Sequence, residues 1–160
     1  MTSIVTSFCV AAQIDVGFNK IDQAASLELI AAIQGKSMMS IGMANCKLGV
    51  EGAKAVAGLA SVTPSLTKIM ISGNGLGDEG ATALCNALRE SKVTKVQELS
   101  LCRNDIGPDG AKAVAAMAST VASLSQLEAS CNNLDRNGNG VQLLRNAVRE
   151  REGFVLRIVQ

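Results

Sequence analysis

The residues Asp135–Gly140 read DRNGNG and place Asp135, Asn137 and Asn139 at alternate positions before a glycine. Oxygen ligands in this spacing begin a calcium loop of the EF-hand type. The twelfth position of such a loop needs a bidentate glutamate, but Asn146 stands there. The preceding residues also have the alternation of a strand, whereas an EF-hand needs a helix. We therefore interpret the stretch as a solvated turn, expect no metal, and expect millimolar calcium to leave the melting temperature unchanged.

A second candidate is Gly-Lys-Ser at 35–37, which resembles the end of a phosphate-binding loop. That loop needs a further glycine five residues before Gly35, and position 30 is Ile. The segment also lies between a predicted helix and a predicted strand, the reverse of the required order. We interpret it as a connecting loop and expect no cofactor.

The chain contains no histidine, which excludes catalytic triads and dyads that use it and histidine-ligated metal sites. The cysteines are odd in number and form no CxxC motif, which favours a reducing intracellular compartment, the cytoplasm first and an organelle as the alternative. One interpretation of Cys102 and Cys131, predicted at the exits of adjacent strands, is a functional thiol pair; two ordinary cysteines are favoured. Cys9 and Cys85 are expected to pack in the interior. The cysteines are Cys9, Cys46, Cys85, Cys102 and Cys131.

Composition indicates one domain over residues 1–160 with a formal net charge of +1. This near-neutral net charge does not indicate a basic surface for nucleic acid. The chain has three Phe and no Trp or Tyr, which argues against nucleic-acid binding by base stacking. No apolar run is long enough to predict a membrane span. Charged residues make up 18%, against roughly 25% in ordinary globular chains. A surface with so little charge suggests burial against a partner protein.

An internal repeat organises the chain. Residues 66–88 and 96–118 share one template: three apolar positions, an asparagine, a further apolar position, a glycine and a helix-like stretch. The asparagine position, here called the anchor, recurs at spacings of 27, 28, 30 and 28 residues, with a cysteine replacing asparagine once. The anchors are Asn19, Cys46, Asn74, Asn104 and Asn132. The predicted repeats are approximately 11–37, 38–65, 66–95, 96–123 and 124–152, followed by a terminal strand at 154–159.

Each repeat predicts a strand, a turn and a helix. Apolar residues alternate with period two before the anchor, as in a half-buried strand. The anchor side chain can satisfy backbone groups that the turn leaves free. Acidic Asp78 and Glu79 suit a helix start, as does Pro108 in the next repeat. One repeat cannot bury its apolar face alone, so stacking must build a parallel sheet with an outer layer of helices.

This pattern resembles the leucine-rich repeat, LxxLxLxx(N/C)xL. The length of the repeats is similar to that of repeats in the ribonuclease-inhibitor-like subtype. The resemblance implies a right-handed α/β solenoid of five repeats plus a terminal strand, with strands on the concave side and helices on the convex side. It implies a binding platform rather than an enzyme. The leading expectation is a non-enzymatic protein–protein interaction module, a scaffold or accessory subunit of a larger intracellular complex. The alternatives are a regulator of a small GTPase, similar to the Ran GTPase-activating proteins of that subtype, and an inhibitor or sensor that binds one protein ligand.

The fifth repeat returns to the template if its strand-to-helix loop carries two extra residues. Gly140 then matches Gly80, and Leu144 matches Leu84. The residues DRNGNG are thereby predicted to form this enlarged loop.

Two surfaces are candidate partner sites. Outward strand positions and the residues after them form the concave face, and outward helix positions rich in alanine form the convex face. Neither end of the array shows an evident polar cap, which repeat arrays usually need and which a neighbouring protein could supply. The candidate concave residues are Phe18, Met70, Glu98, Arg103 and Glu128, and the candidate convex residues are Ala57, Gly58, Ala115 and Ala116.

Overall fold

The computed structural model describes residues 12–135 and 139–159. In these residues strands and helices alternate, and six strands form one parallel sheet in the order of the chain. The strands are β1 Ala12–Asp15, β2 Met38–Gly42, β3 Lys68–Met70, β4 Glu98–Ser100, β5 Gln126–Glu128 and β6 Val155–Arg157. The helices are α1 Gln23–Ile33, α2 Gly49–Val62, α3 Gly77–Glu90, α4 Pro108–Thr120 and α5 Gly140–Val148.

The sheet register places equivalent residues of successive repeats beside one another. Ile41, Ile69 and Leu99 pair in one row and are buried between the sheet and the helices. The residues on either side of this row face the opposite side of the sheet because side chains alternate along a strand. The predicted α/β leucine-rich-repeat solenoid is therefore confirmed, and β6 lies within the predicted terminal segment.

The anchor asparagines connect neighbouring turns. The side-chain oxygen of Asn74 accepts hydrogen bonds from the backbone N–H groups of Cys46 and Leu48, at 2.8 and 3.3 Å. Its amide nitrogen donates to the carbonyls of Met43 and Ile71, at 2.8 and 2.9 Å. One buried side chain thus satisfies backbone groups in two repeats, as the pattern predicted.

The same connection continues along the array. Asn104 accepts from the backbone N–H of Asn74 at 2.8 Å, and Asn132 accepts from that of Asn104 at 2.9 Å. The anchors form a ladder in which each asparagine fixes the turn of the repeat before it.

The residue before each anchor has a left-handed backbone. Its φ is 63° at Phe18, 55° at Asn45, 70° at Gly73, and 55° at both Arg103 and Cys131. Bulky residues adopt this region rarely. Because five successive turns share it, the conformation belongs to the repeat and not to one strained site. It keeps the sheet ladder running past the strand ends: for example, the Phe18 N–H donates to the carbonyl of Ala44 at 2.8 Å.

The enlarged loop of the fifth repeat leads into α5. Gly140 begins that helix, and a Cβ on it would lie 3.0 Å from the side chain of Ala111, just as a Cβ on Gly80 would lie 3.1 Å from that of Ala53. The two glycines therefore occupy equivalent positions, in agreement with the two-residue insertion. Asp135 accepts a hydrogen bond from the Val141 N–H at 2.9 Å. Residues 136–138 lie outside the described residues, and the interpretation of the stretch as a solvated turn without calcium stays a prediction.

Residues 35–37 lie between the end of α1 and the start of β2. They form the helix-to-strand connection that the sequence predicted. No helix in the described part of the chain is long and apolar enough to cross a membrane.

Candidate functional site

The helix layer corrects one prediction about the convex face. Ala57 and Ala115 were expected to point outward, but they are only 5% and 8% exposed. The helices lie side by side, so each central helix is covered by the sheet below it and by a helix on both flanks. The buried part of each central helix is therefore wider than the single apolar stripe formed by residues three and four positions apart. Gly58 is exposed and Ala116 is half-buried, and their role in partner binding stays a prediction.

The concave face is built from the outward positions of the six strands. Register pairs Asp15 with Gly42, Gly42 with Met70, and Met70 with Ser100. A second row runs through Ser40 and adjacent positions along the sheet. The two rows contain Gln13, Ser40, Lys68, Glu98, Gln126 and Val155, then Asp15, Gly42, Met70, Ser100, Glu128 and Arg157.

A groove runs along β2, because this strand contributes small residues to the concave face. Ser40 lies on its floor, and we call it the β2 groove. The carboxylate of Asp15 leans over Gly42, where an added Cβ would approach it to 2.7 Å. Met39 and Met70, both exposed large apolar residues, line the groove. The residues along it are Gln13, Asp15, Met39, Ser40, Thr67, Lys68, Met70, Gln97 and Glu98.

A second depression lies over β4, and we call it the β4 hollow. Lys68 and Glu98 form an ion pair of 2.6 Å at its edge, and both side chains are partly exposed. Glu128 and Arg157 line its other side. The hollow therefore carries charges of both signs. It is lined by Lys68, Met70, Glu98, Ser100, Gln126, Glu128 and Arg157, together with two buried strand residues.

Three of the five predicted concave residues come together. Met70, Glu98 and Glu128 line the β4 hollow. Phe18 and Arg103 instead lie on the rim beyond the strand ends, in turns that belong to the first and fourth repeats. Phe18 is 75% exposed, held outward by its left-handed backbone. The structure divides the five residues between a hollow and a rim, and their role in partner binding stays a prediction.

The described cysteines fall into two environments. Cys46 and Cys85 are buried, whereas Cys102 is half-buried and Cys131 is exposed. Burial raises the pKa of the Cys85 thiol to about 12. The pKa of the Cys102 thiol is also raised, by its partial burial first and then by the neighbouring Cys131 thiol. The predicted packing of Cys85 is confirmed, and Cys9 lies outside the described residues.

The comparisons with known proteins concern this repeat. A family model described as Leucine Rich repeat matches residues 63–85 and 94–115. These are the segments in which the sequence template, the anchor ladder and the buried strand rows are most regular. Two repeats of the chain therefore match the leucine-rich-repeat family.

A solved structure shares its fold with most of the chain. It is the actin-binding site 2 of leiomodin-1, which matches with a TM-score of 0.67 and 17% sequence identity. The match covers 87% of this chain and 82% of that one. Identity at this level supports a shared fold alone.

The sequence reasoning missed several residues of the concave face. Arg157 belongs to β6, and extending the period-two alternation to the terminal strand would have found it. Lys68 occupies an outward position of β3, but its ion pair depends on the register with Glu98. Met39 precedes the outward position of its strand, and no pattern in the sequence indicates that it lines the groove.

Proposed function

We propose that this leucine-rich-repeat protein is a non-enzymatic interaction module of the ribonuclease-inhibitor-like subtype. In this proposal it is an accessory subunit of a larger assembly in a reducing intracellular compartment, the cytoplasm first. The partner is a protein that docks on the concave face. The observation that carries the proposal is the β2 groove, a small-residue floor lined by exposed methionines and reached by a carboxylate.

The groove favours a partner side chain that is apolar along its length and basic at its tip. Met39 and Met70 offer flexible, polarisable contacts that adapt to a partner's shape. Asp15 accepts one hydrogen bond, from the Gly17 N–H at 2.9 Å, and a carboxylate can accept several. Its remaining acceptor capacity can pair with a partner lysine or arginine. Lys68, by contrast, is already paired with Glu98.

Phe18 extends the proposed contact beyond the groove. It lies on the same side of the sheet, after the end of β1, and aromatic residues are enriched among the side chains that dominate interface energies. A partner that fills the groove and reaches the end of β1 meets this ring. Phe18 and Met70 are therefore the proposed apolar anchors, and Asp15 sets the charge preference.

The decisive experiment is size fractionation of a native extract from the source, followed by mass spectrometry of the proteins that co-elute. Elution in a large particle supports the subunit proposal and names the partner. Elution near the 16.5 kDa of the chain alone overturns it. That outcome favours the alternatives: a small-GTPase regulator, tested by GTP turnover with purified GTPases, or an inhibitor of one ligand protein. Actin belongs in the panel of purified ligands because the structural relative is an actin-binding site.

The concave docking surface is tested separately by a matched pair of variants. Met70→Glu introduces a charge into the groove, and Val62→Glu introduces the same charge at the end of α2, where Val62 is 59% exposed. We expect Met70→Glu to weaken partner binding at least about tenfold, as for a central interface residue. Val62→Glu should bind as the unchanged protein does. Equal binding by both variants contradicts the proposed surface.

A further inference from the structure

Cys102 and Cys131 follow adjacent parallel strands. Cys102 lies two residues after the end of β4, and Cys131 lies three residues after the end of β5. The backbone between them is tied by a hydrogen bond from the Arg103 N–H to the Ser130 carbonyl at 3.1 Å. The register that pairs Ser100 with Glu128 continues past the strand ends, so Cys131 lies diagonally across from Cys102. Two repeats therefore present their sulfur atoms at one place on the concave rim.

The two thiols differ in access. Cys131 is exposed, so a dissolved oxidant reaches its sulfur directly. Cys102, on the adjacent turn, is half-buried. An exposed cysteine that reacts first and a neighbouring cysteine that resolves the product form the usual arrangement of a reversible thiol site.

The geometry of adjacent strands suits a disulfide. Strand spacing and rise per residue place Cα atoms of diagonal neighbours on adjacent strands about 6 Å apart. Disulfides span Cα separations of roughly 4.4 to 6.8 Å. The sulfur atoms must then come within bonding distance, and rotation of the exposed Cys131 side chain can supply this movement.

We propose that Cys102 and Cys131 form a modification site, a dithiol that a hydroperoxide converts into a reversible disulfide between the fourth and fifth repeats. The Cys131 sulfur attacks a peroxide oxygen: an S–O bond forms, the O–O bond breaks, and the leaving hydroxide takes up the thiol proton as water. The Cys102 sulfur then attacks the resulting sulfenic sulfur: the S–S bond forms, the S–O bond breaks, and a second water leaves. Both thiols are oxidised and the peroxide is reduced.

The disulfide would act on the surface that surrounds it. Cys102 lies two residues after Ser100, which lines the β4 hollow. The disulfide therefore changes the rim beside that hollow. It also ties two repeats that are otherwise held together by hydrogen bonds and packing. The inference does not depend on the proposed partner, because the cross-link is detectable in the isolated chain.

The test uses the full chain carrying Cys9→Ser, so that Cys9 does not compete. The reduced protein is treated with hydrogen peroxide, the remaining thiols are alkylated, and the digest is analysed by mass spectrometry without reduction. We expect a cross-link between the peptides of Cys102 and Cys131 that dithiothreitol reverses. Alkylation of both residues after peroxide treatment, or conversion of Cys131 to sulfinic acid without a cross-link, overturns the proposal.

Two further variants separate the roles of the thiols. In Cys102→Ser, the sulfenic acid at Cys131 has no resolving thiol, so dimedone should label Cys131 after peroxide treatment. In Cys85→Ser, a control at a buried cysteine, the cross-link should form as before. Absence of dimedone labelling at Cys131, or loss of the cross-link in a folded Cys85→Ser protein, contradicts the assigned order of reaction.

Discussion

The turns of the central repeats and the turn between the first two repeats are closed by different chemical groups. Asn74 and Asn104 are buried, and each accepts and donates hydrogen bonds across a repeat boundary. At Cys46 the thiol instead contacts the carbonyls of Val16 and Ala44, at 3.6 and 3.5 Å. A thiol is a weak donor and a weak acceptor. The same turn can therefore be closed by a weaker group, with weaker coupling to the preceding repeat.

Burial differs in the same direction. The strand residues Ile14 and Val16 of the first repeat are half-buried, whereas the equivalent Ile69 and Ile71 of the third repeat are fully buried. In repeat proteins stability is approximately a sum of repeat and nearest-neighbour terms. Both the anchor hydrogen bonds and the apolar burial therefore weaken toward β1. We expect the boundary between the first two repeats to open before the boundaries between central repeats.

Removing a central anchor should have the largest effect. Asn104→Ala deletes the acceptor for the Asn74 N–H and the donor to the Ile71 carbonyl. The Ile71 carbonyl still accepts from the Asn74 amide, so the Asn74 N–H is the group that loses its partner. A buried group left unsatisfied costs about 1–3 kcal/mol, and we expect a loss of about this size in the free energy of unfolding. Urea denaturation measures it.

The control for this variant is Asn133→Ala, the same substitution at a half-buried residue in the next turn. Its backbone N–H donates to the Ile106 carbonyl and is retained in the variant. A change within about 0.5 kcal/mol is expected, as at ordinary surface positions. Equal losses in the two variants would show that the anchor ladder adds nothing beyond an ordinary asparagine.

A smaller effect is expected at the contact between α3 and α4. One carboxylate oxygen of Asp78 accepts from the N–H groups of Gly107 and Gly110, at 2.6 and 2.9 Å, and so caps α4 from the preceding repeat. Asp78→Ala should lower the free energy of unfolding by about 1–2 kcal/mol, as loss of a helix cap does. Thermal and urea unfolding measure the change.

Asp109→Ala is the matched control, because Asp109 lies in the first turn of the same helix but forms an exposed ion pair with Lys112. Exposed pairs contribute little. If Asp109→Ala proves as destabilising as Asp78→Ala, the charge of the first turn matters and the link between repeats does not.

The smallest expected effect is a gain in stability at the boundary between the first two repeats. Cys46→Asn introduces the central anchor at the first boundary, where a side-chain oxygen can accept from the N–H of Asn19. One added hydrogen bond should raise the free energy of unfolding by about 0.5–1 kcal/mol. Hydrogen exchange of the β1 and β2 amides should slow at the same time.

Cys46→Ser serves as the control for this variant, since it keeps the size of the side chain without the reach of an amide. It should give no gain in stability. Destabilisation by Cys46→Asn would mean that the first turn has packed around the smaller thiol and cannot take the central anchor.

Much of the fold was predictable because the residues within each repeat indicate its strand, its turn and its helix. The period-two strand residues, the anchor positions and the glycine that begins α5 all follow from the template, as does the outward direction of Met70 and Glu98. The exposure of Ala57 and Ala115 was predicted wrongly. A helical pattern read along one chain segment identifies the face toward the sheet, but it does not reveal that neighbouring helices cover both flanks.

The sequence by itself determined the repeat, the order of strands, the parallel sheet and the residues that close each turn. These features depend on spacing within one repeat and on the need to bury its apolar face. Only the tertiary structure decided that Lys68 meets Glu98, that Met39 lines a groove, and that Cys102 and Cys131 differ in exposure. These residues belong to different repeats. The sheet register and the turn conformation decide which of them lie side by side.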